Sequence, residues 1–400
     1  NTLKFIDMVA REAQAIAHEK CTFIGTTDKQ YDDSFAQKGA KIGSALRVRK
    51  PNQYTRTQGS RVMDVQDQDE AVQSITLATQ DHVDMRFNSA ELTLDTDSVD
   101  DVARFSKRYI QPAMSVLTSG IEGDFLAYAT KATYQVAGTA GSAINSLVAP
   151  GAARAKLNQS LAPKGERNIQ MDSVTMGALV NGVAAYFNPS NAIAEQYREG
   201  LVARTSMADY YENERVWTLT NSNDVTGTTD AAAQVTDGGT TVDMADTITN
   251  AVVGSVFTIA GVYDCHPETK AAYPHLKQFT VTANSSGLCT VSPATILTGA
   301  RKNVCSSTGA NLATTDFNSK TLTFVGAASN SYMQSLMYHK EAFQFVSADL
   351  PLMDDAHKCT RKVQDGLSLR CWIASDVRND ELLMRIDILY GFAALRPEWS

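Results

Sequence analysis

The feature that most constrains how this chain can fold lies close to Ser400. From Leu382 to Phe392 the even positions are Leu382, Met384, Ile386, Ile388, Tyr390 and Phe392, and the odd ones include Arg385, Asp387 and Gly391. Alternation of this kind predicts a strand with one buried face. A core strand needs partners along its edges. Chain ends are usually loosely held, so a core strand this near Ser400 asks what holds it.

The size of the chain asks for more than one core. Four hundred residues predict two or three domains. With 43% hydrophobic and 20% charged residues, the composition is that of a soluble globular chain. No apolar run approaches the roughly 18 residues of a membrane-spanning helix. The opening "NTLKFIDMVAREAQAIAHEK" carries Asp7, Arg11 and Glu12 inside its apolar pattern, which a secretory signal excludes; it reads as a short amphipathic helix. The six cysteines, Cys21, Cys265, Cys289, Cys305, Cys359 and Cys371, are scattered and are expected as reduced thiols of a cytoplasmic product. A disulfide among Cys265, Cys289 and Cys305 stays open.

Charge is distributed unevenly. Ser34 to Met63 holds Lys38, Lys41, Arg47, Arg49, Lys50, Arg56 and Arg61 and no acid; Asp64 to Met85 holds Asp64, Asp67, Asp69, Glu70, Asp81 and Asp84 and no base. Both stretches carry strand signals, so a long two-stranded excursion with one positive and one negative arm is expected. The arms could complement each other across their own hairpin, each exposed pair contributing under about 1 kcal/mol. An isolated two-stranded hairpin is marginal in water, and a long charged one is better supported on a second subunit, where charge sets register and partner choice.

After Ser98 and Asp101, spaced as a capping box, apolar residues recur at Val102, Phe105, Tyr109, Ala113, Val116, Gly120/Ile121, Phe125, Tyr128 and Ala132. Pro112 forces a restart, so a short helix before it and a long one from about 112 to 134 are expected. Small residues from Gly138 to Gly165 read as loops. "SVTMGALVNGVAAYFNPSNAIAEQYREG" reads as helix, short strand and helix. From Val216 to Thr269 there is no Lys or Arg. "GSVFTIAGVY", "KQFTVTA", "GLCTVSPA" and "KTLTFVGAA" then succeed one another as short strands, the pattern of a small all-β module set into an α/β host.

No catalytic constellation emerges: there is no P-loop, dinucleotide fingerprint, nucleophile elbow or H-E-x-x-H. The nearest metal candidate, Cys265, His266, His275 and Cys289, fits no zinc spacing. The acids of 224–246 lack the D-x-D-x-D-G order of a calcium loop and read as a solvated face. No metal and no cofactor is expected.

Four segments carry a resemblance. "HVDMRFNSAELTL" running into "VARFSKRYIQPAMSVLTSGIEGDFLA", "YFNPSNA" with "YREGLVAR", "LMYHKEAFQFVSADLP", and "YGFAALRPEW" resemble, in order, the coat-protein family of the Salmonella short-tailed phages. The Thr-rich lead-in to the β-module departs from the family pattern. The resemblance implies an α+β chain of the Hong Kong 97 capsid fold. Its parts would be an N-terminal arm (1–34), an extended loop (35–92), a peripheral domain with the spine helix (93–140), an axial domain (141–217), an inserted all-β domain (218–327), and a last segment (328–400) that completes the axial domain and supplies the closing strand, leaving "LRPEW" at a subunit edge. The subunit interface would then be Lys38, Lys41, Arg47, Arg49, Lys50, Arg56, Arg61, Asp64, Asp67, Asp69 and Glu70 in the extended loop.

The resemblance further implies a non-enzymatic major capsid protein found in the virion and assembled in the host cytoplasm. Its partners would be copies of itself in hexamers and pentamers, a scaffolding protein and a portal protein, with a decoration protein as a further candidate. The net charge of -8 suits a shell that encloses double-stranded DNA without gripping phosphates. Competing expectations are a non-viral shell protein of the same fold and, from another class, an enzyme or carbohydrate-binding protein carrying a β-module.

Overall fold

The computed structural model describes residues 9–17, 21–32, 45–56, 59, 63, 65, 72–88, 106–183, 208–244, 248–353, 358–364 and 366–400. The capping box at Ser98, the short helix with Val102 and Phe105, and the strand and helix expected over 184–200 fall outside them. The chain has the expected α+β character and divides into two compact units: Asn1–Arg49 with Val72–Phe125 and Phe343–Leu395, and Lys50–Ala71 with Leu126–Ala342 and Arg396–Ser400.

The first unit is organised by the closing strand, Glu381–Ala394. Its neighbours come from widely separated parts of the chain. Thr79–Asn88 pairs along one edge, with Tyr390 opposite Thr79 and Met384 opposite Met85. Along the other edge, Leu367–Asp376 takes the first half, with Ile373 opposite Met384, and Phe343–Ala348 takes the second, with Ser347 opposite Tyr390. Asp28–Asp32 extends the sheet in parallel beside Phe343–Ala348, and Lys358–Gln364 lies antiparallel beside Leu367–Asp376.

Met384, Ile386, Ile388 and Tyr390 are buried as the alternation predicts. On the opposite face Asp387, Gly391 and Ala393 are buried too, so the strand is covered on both sides in its second half. The cover is the chain around residue 76. A Cβ on Gly391 would lie 2.3 Å from the Thr76 carbonyl oxygen, so only glycine admits that crossing. Beside it Ile75 and Leu77 join Val346, Ala348 and Ala393 in one apolar cluster.

Asp387 is 1% exposed and is satisfied on that face. It accepts hydrogen bonds from Arg370 Nε at 3.0 Å and Nη2 at 2.5 Å and from Gln80 Nε2 at 3.0 Å. Arg370 also donates to the Pro351 carbonyl at 2.8 Å, so the bidentate pair links three segments of chain.

The long helix runs Gln111–Ala132 after a π-helical turn, Ser106–Ile110. Pro112 sits in its first turn, where its missing N–H leaves no bond unmade. The buried face differs from the expected stripe. Met114, Leu117, Ile121, Phe125, Leu126 and Ala129 are buried, whereas Val116 is 69% exposed and Tyr128 is also exposed. The rotation is caused by polar side chains that carry their own partners inward. Thr118 and Thr130 donate to the Met114 and Leu126 carbonyls at 2.7 and 2.8 Å. Fully buried Glu122 accepts from the Phe23 amide at 2.6 Å and the Thr22 hydroxyl at 3.0 Å, at the start of the short helix Thr22–Thr26. Phe23 and Phe125 pack at 4.8 Å, and Phe125 stacks on Phe392 at 5.2 Å.

In the second unit, Arg167–Met171 pairs antiparallel with Leu336–His339 and parallel with Asp209–Glu212. Helix Val148–Gln159 occupies part of the stretch expected as loops. Its small residues are chiefly alanines, the strongest helix formers, and Pro150 lies in the first turn. Helix Ser173–Val183 follows Asp172, whose carboxylate accepts from the Thr175 amide at 3.0 Å as an N-cap. Gly182 packs so closely on Asn145 that a Cβ would overlap its carbonyl.

Residues 226–324 form a seven-stranded sheet in the order Thr226–Thr228, Thr321–Phe324, Val256–Cys265, Ala272–Ser285, Leu288–Thr295 and Gly239–Asp243, with Val304–Cys305 added to Val256–Cys265. Phe257, Phe279, Val281, Val291 and Leu322 fill its core. The chain enters and leaves through a short antiparallel pair, Thr218–Thr220 with Ser331–Met333.

The residues after the closing strand lie within the second unit rather than at a free edge. Trp399 and Ser400 are buried; the Trp399 indole donates to the Ser160 carbonyl at 3.2 Å, and the Ser400 and Thr133 hydroxyls meet at 2.8 Å. The apolar indole, stacked under Arg396 at 4.1 Å, explains the difference: its area favours burial over exposure.

Asp264 is the charged centre of this unit. Lys277 Nζ stands 2.8 Å from one carboxylate oxygen and His275 Nε2 3.4 Å from the other. Tyr273 stacks on His275 at 5.4 Å and donates to the Gln159 carbonyl at 3.2 Å. Burial alone would raise the Asp264 carboxyl, but hydrogen bonds from His275 and Lys277 and the Lys277 charge outweigh it and hold it at about 2.

Two outcomes are expected. Asp387→Ala leaves Arg370 buried without its anion and costs about 3–5 kcal/mol in denaturant unfolding, whereas replacing both residues by apolar ones costs less; equal costs would contradict the pairing. Asp264 has a lowered carboxyl, so its contribution is present above about pH 4 and is lost as pH falls towards 2. Asp264→Asn removes about 2 kcal/mol at pH 7 and flattens the acid limb of a thermal-stability profile between those values.

Candidate assembly interface

The basic arm is built locally as a strand. Ala45–Arg49 pairs antiparallel with Val72–Thr76, Arg47 opposite Ser74 and Arg49 opposite Val72. Alternation turns Val48 towards the apolar cluster under Ile75 and leaves Arg47 and Arg49 exposed. Neither position across the hairpin is acidic, so the register does not match base to acid within the described strands.

The acids that follow have other partners. Asp84 accepts from Arg385 at 2.6 and 3.0 Å, and the hydrogen-bonded guanidinium holds its carboxyl below the usual range. Asp81 accepts from the Tyr390 hydroxyl at 2.7 Å. These two belong to the central sheet through Thr79–Asn88 and not to an excursion.

In the second unit Lys50 is half-buried. Burial lowers its ammonium, Glu398 opposes that, and Arg396 and Arg301 add to it. Arg56 is exposed. Lys38, Lys41, Arg61, Asp64, Asp67, Asp69 and Glu70 lie outside the described residues. Charge drew attention to this stretch, and in it Tyr54 is 58%, Met63 84% and Val65 78% exposed. Apolar residues exposed singly in this way are ordinary on a protein surface.

The side chains that might have gathered a metal are engaged otherwise. The His266 Nδ1 accepts from the Glu268 and Thr269 amides, each at 3.1 Å, His275 faces Asp264, and Cys289 donates to Asn284 Oδ1 at 3.6 Å.

Residues 218–400 match the family described as P22 coat protein, gene protein 5. The chain is similar to the P22 coat protein family over that region. It is a tailed-phage major capsid protein, and the matched region runs from the entry to the seven-stranded sheet through the closing strand to Ser400. No curated relative matches this coat protein. Among solved structures it is similar to one from Mycobacterium phage Che8, at 10% identity with 92% of this chain and 87% of that chain covered and a TM-score of 0.46. It is also similar to the capsid of cyanophage P-SCSP1u, at 11% identity, 94% and 84% covered, TM-score 0.43, and to the mature capsid of bacteriophage PhiM1, at 12% identity, 94% and 84% covered, TM-score 0.43. These likenesses are distant; the assignment rests on the sequence match.

Proposed function

We propose that this coat protein is the repeating subunit of an icosahedral shell, assembled from hexamers and pentamers of the one chain around double-stranded DNA, and that it has no catalytic role. The observation that carries the reading is the family match over 218–400. On this reading the chain takes the Hong Kong 97 arrangement. The extended loop, ending before Thr79–Asn88 joins the central sheet, reaches a neighbouring subunit with Arg47, Arg49 and Arg56, and residues 218–327 are an inserted domain. Assembly proceeds in the host cytoplasm with a scaffolding protein, and a portal protein occupies one vertex. Heterologous contacts of this type close only when the rotation between subunits closes, so charge that fixes orientation matters more than charge that adds affinity. DNA is enclosed without sequence-specific contact, as an acidic chain would do.

Negative-stain electron microscopy with size-exclusion chromatography tests the reading, on the chain alone and co-expressed with a scaffolding protein. Closed shells or regular capsomers are expected; a compact monomer under both conditions would count against it. Reversing Arg47 and Arg49 to Glu is expected to reduce shell yield by tenfold or more while the circular-dichroism melt of the unassembled chain stays within a few degrees. Lys50 is left unchanged because it is half-buried. Normal shells from the double variant would remove the intersubunit role of the arm. The insertion reading predicts that a fragment of residues 218–327 unfolds in one cooperative transition; a featureless melt would show that the sheet depends on the elements around it.

A further inference from the structure

We propose that Cys265 and Cys305 are a dithiol pair that closes to a disulfide when the folded chain meets an oxidant. Both are thiols in the structure, and both are buried, Cys265 at 4% and Cys305 at 0% exposure. The strand Val304–Cys305 pairs with Val256–Cys265 so that Cys305 stands opposite Tyr263 and Val304 opposite Asp264. Cys265 follows Tyr263 by two residues across a register shift in the strand, and it is near enough to Cys305 for the two thiols to interact.

The sulfur of Cys305 leans in that direction: it is 3.9 Å from the Tyr263 carbonyl oxygen and 3.6 Å from that of Asp264, the carbonyl bonded to the Cys265 nitrogen. Diagonal neighbours start about 2 Å further apart than a relaxed disulfide prefers, so the backbone must move to close the bridge. The segment that must give is a strand of two residues, with turns on both sides. Burial first, and then the neighbouring Cys265, push the Cys305 thiol up to about 11, so Cys305 rests as a thiol at neutral pH and waits for an added oxidant. Lys302 stands by the Cys305 sulfur and favours its thiolate.

The chemistry is a two-electron oxidation. The two thiols release two protons and two electrons, one bond forms between the Sγ atoms, and the acceptor is a small diazene or disulfide, reduced to a hydrazine or to two thiols. A bridge here would join residues 40 apart in sequence and hold the centre of the sheet to the segment after Leu288–Thr295. Under the capsid reading, on which only the biological setting rests, the chain would fold in a reducing cytoplasm and be exposed to oxidising surroundings as a particle.

The test uses the full chain, unassembled and folded, treated with diamide, alkylated under denaturing conditions and mapped by mass spectrometry. The expected result is a 2 Da loss with Cys265 and Cys305 in one linked peptide, reversed by dithiothreitol, unchanged in Cys289→Ser and abolished in Cys305→Ser. The linked peptide in the unsubstituted chain is itself decisive, so a poorly folded variant does not block the experiment. Alkylation of both residues after treatment, or linkage of either to Cys289, would overturn the proposal. Because the readout does not require shells, failure to assemble would count against the capsid reading and leave the thiol result intact.

Discussion

The first unit depends on the pairing between Asp387 and Arg370. A carboxylate in the middle of a central strand would be intolerable without donors, because the desolvation of an isolated buried ion costs several kcal/mol. The guanidinium supplies two donors from Leu367–Asp376 on one edge, and Gln80 supplies a third from Thr79–Asn88 on the other. The same guanidinium reaches the Pro351 carbonyl. A strand slip of one residue would turn Asp387 to the opposite face and separate it from all of these. The pair thus specifies register in a sheet whose strands come from residues 28 to 394, where apolar contacts alone would tolerate several alignments.

Such register control has a use in a coat protein. A subunit that must meet copies of itself needs a fixed frame from which its contact segments project. The crossing over Gly391 places the hairpin of Ala45–Arg49 and Val72–Thr76 on that frame, with Val48 and Ile75 anchored in the apolar cluster and the arginines turned outward. The second unit uses an analogous device in Asp264. Its partners Lys277 and His275 come from the adjacent strand, and the stacked Tyr273 reaches helix Val148–Gln159.

The legible parts of the sequence were those where one period dominated. Strict alternation from Met384 to Tyr390 named the buried face of the closing strand correctly, and Pro112 located the start of the long helix within a residue. The helix face departs from the expected apolar stripe because Thr118, Glu122 and Thr130 are buried. Each is buried with a partner in reach, and a local sequence does not show that Glu122 will meet the Phe23 amide 99 residues earlier in the chain. Alanines at 149–155 were read as loop because small size suggested turns, although their backbone preference is helical. The second covered face of the closing strand had a faint signal in Gly391, a strand glycine with no turn beside it.

The candidate interface was legible as charge and not as geometry. Seven bases without an acid from Ser34 to Met63 marked the arm, but the acids that follow were treated as one block. The structure separates them by their partners: Asp81 and Asp84 are held by Tyr390 and Arg385 in the central sheet, so they balance charge inside the subunit. Arg47 and Arg49 are exposed and stand opposite Ser74 and Val72 in their hairpin. Complementarity that a subunit uses internally is unavailable to a neighbour, so Asp81 and Asp84 do not belong with the charges the sequence grouped around them.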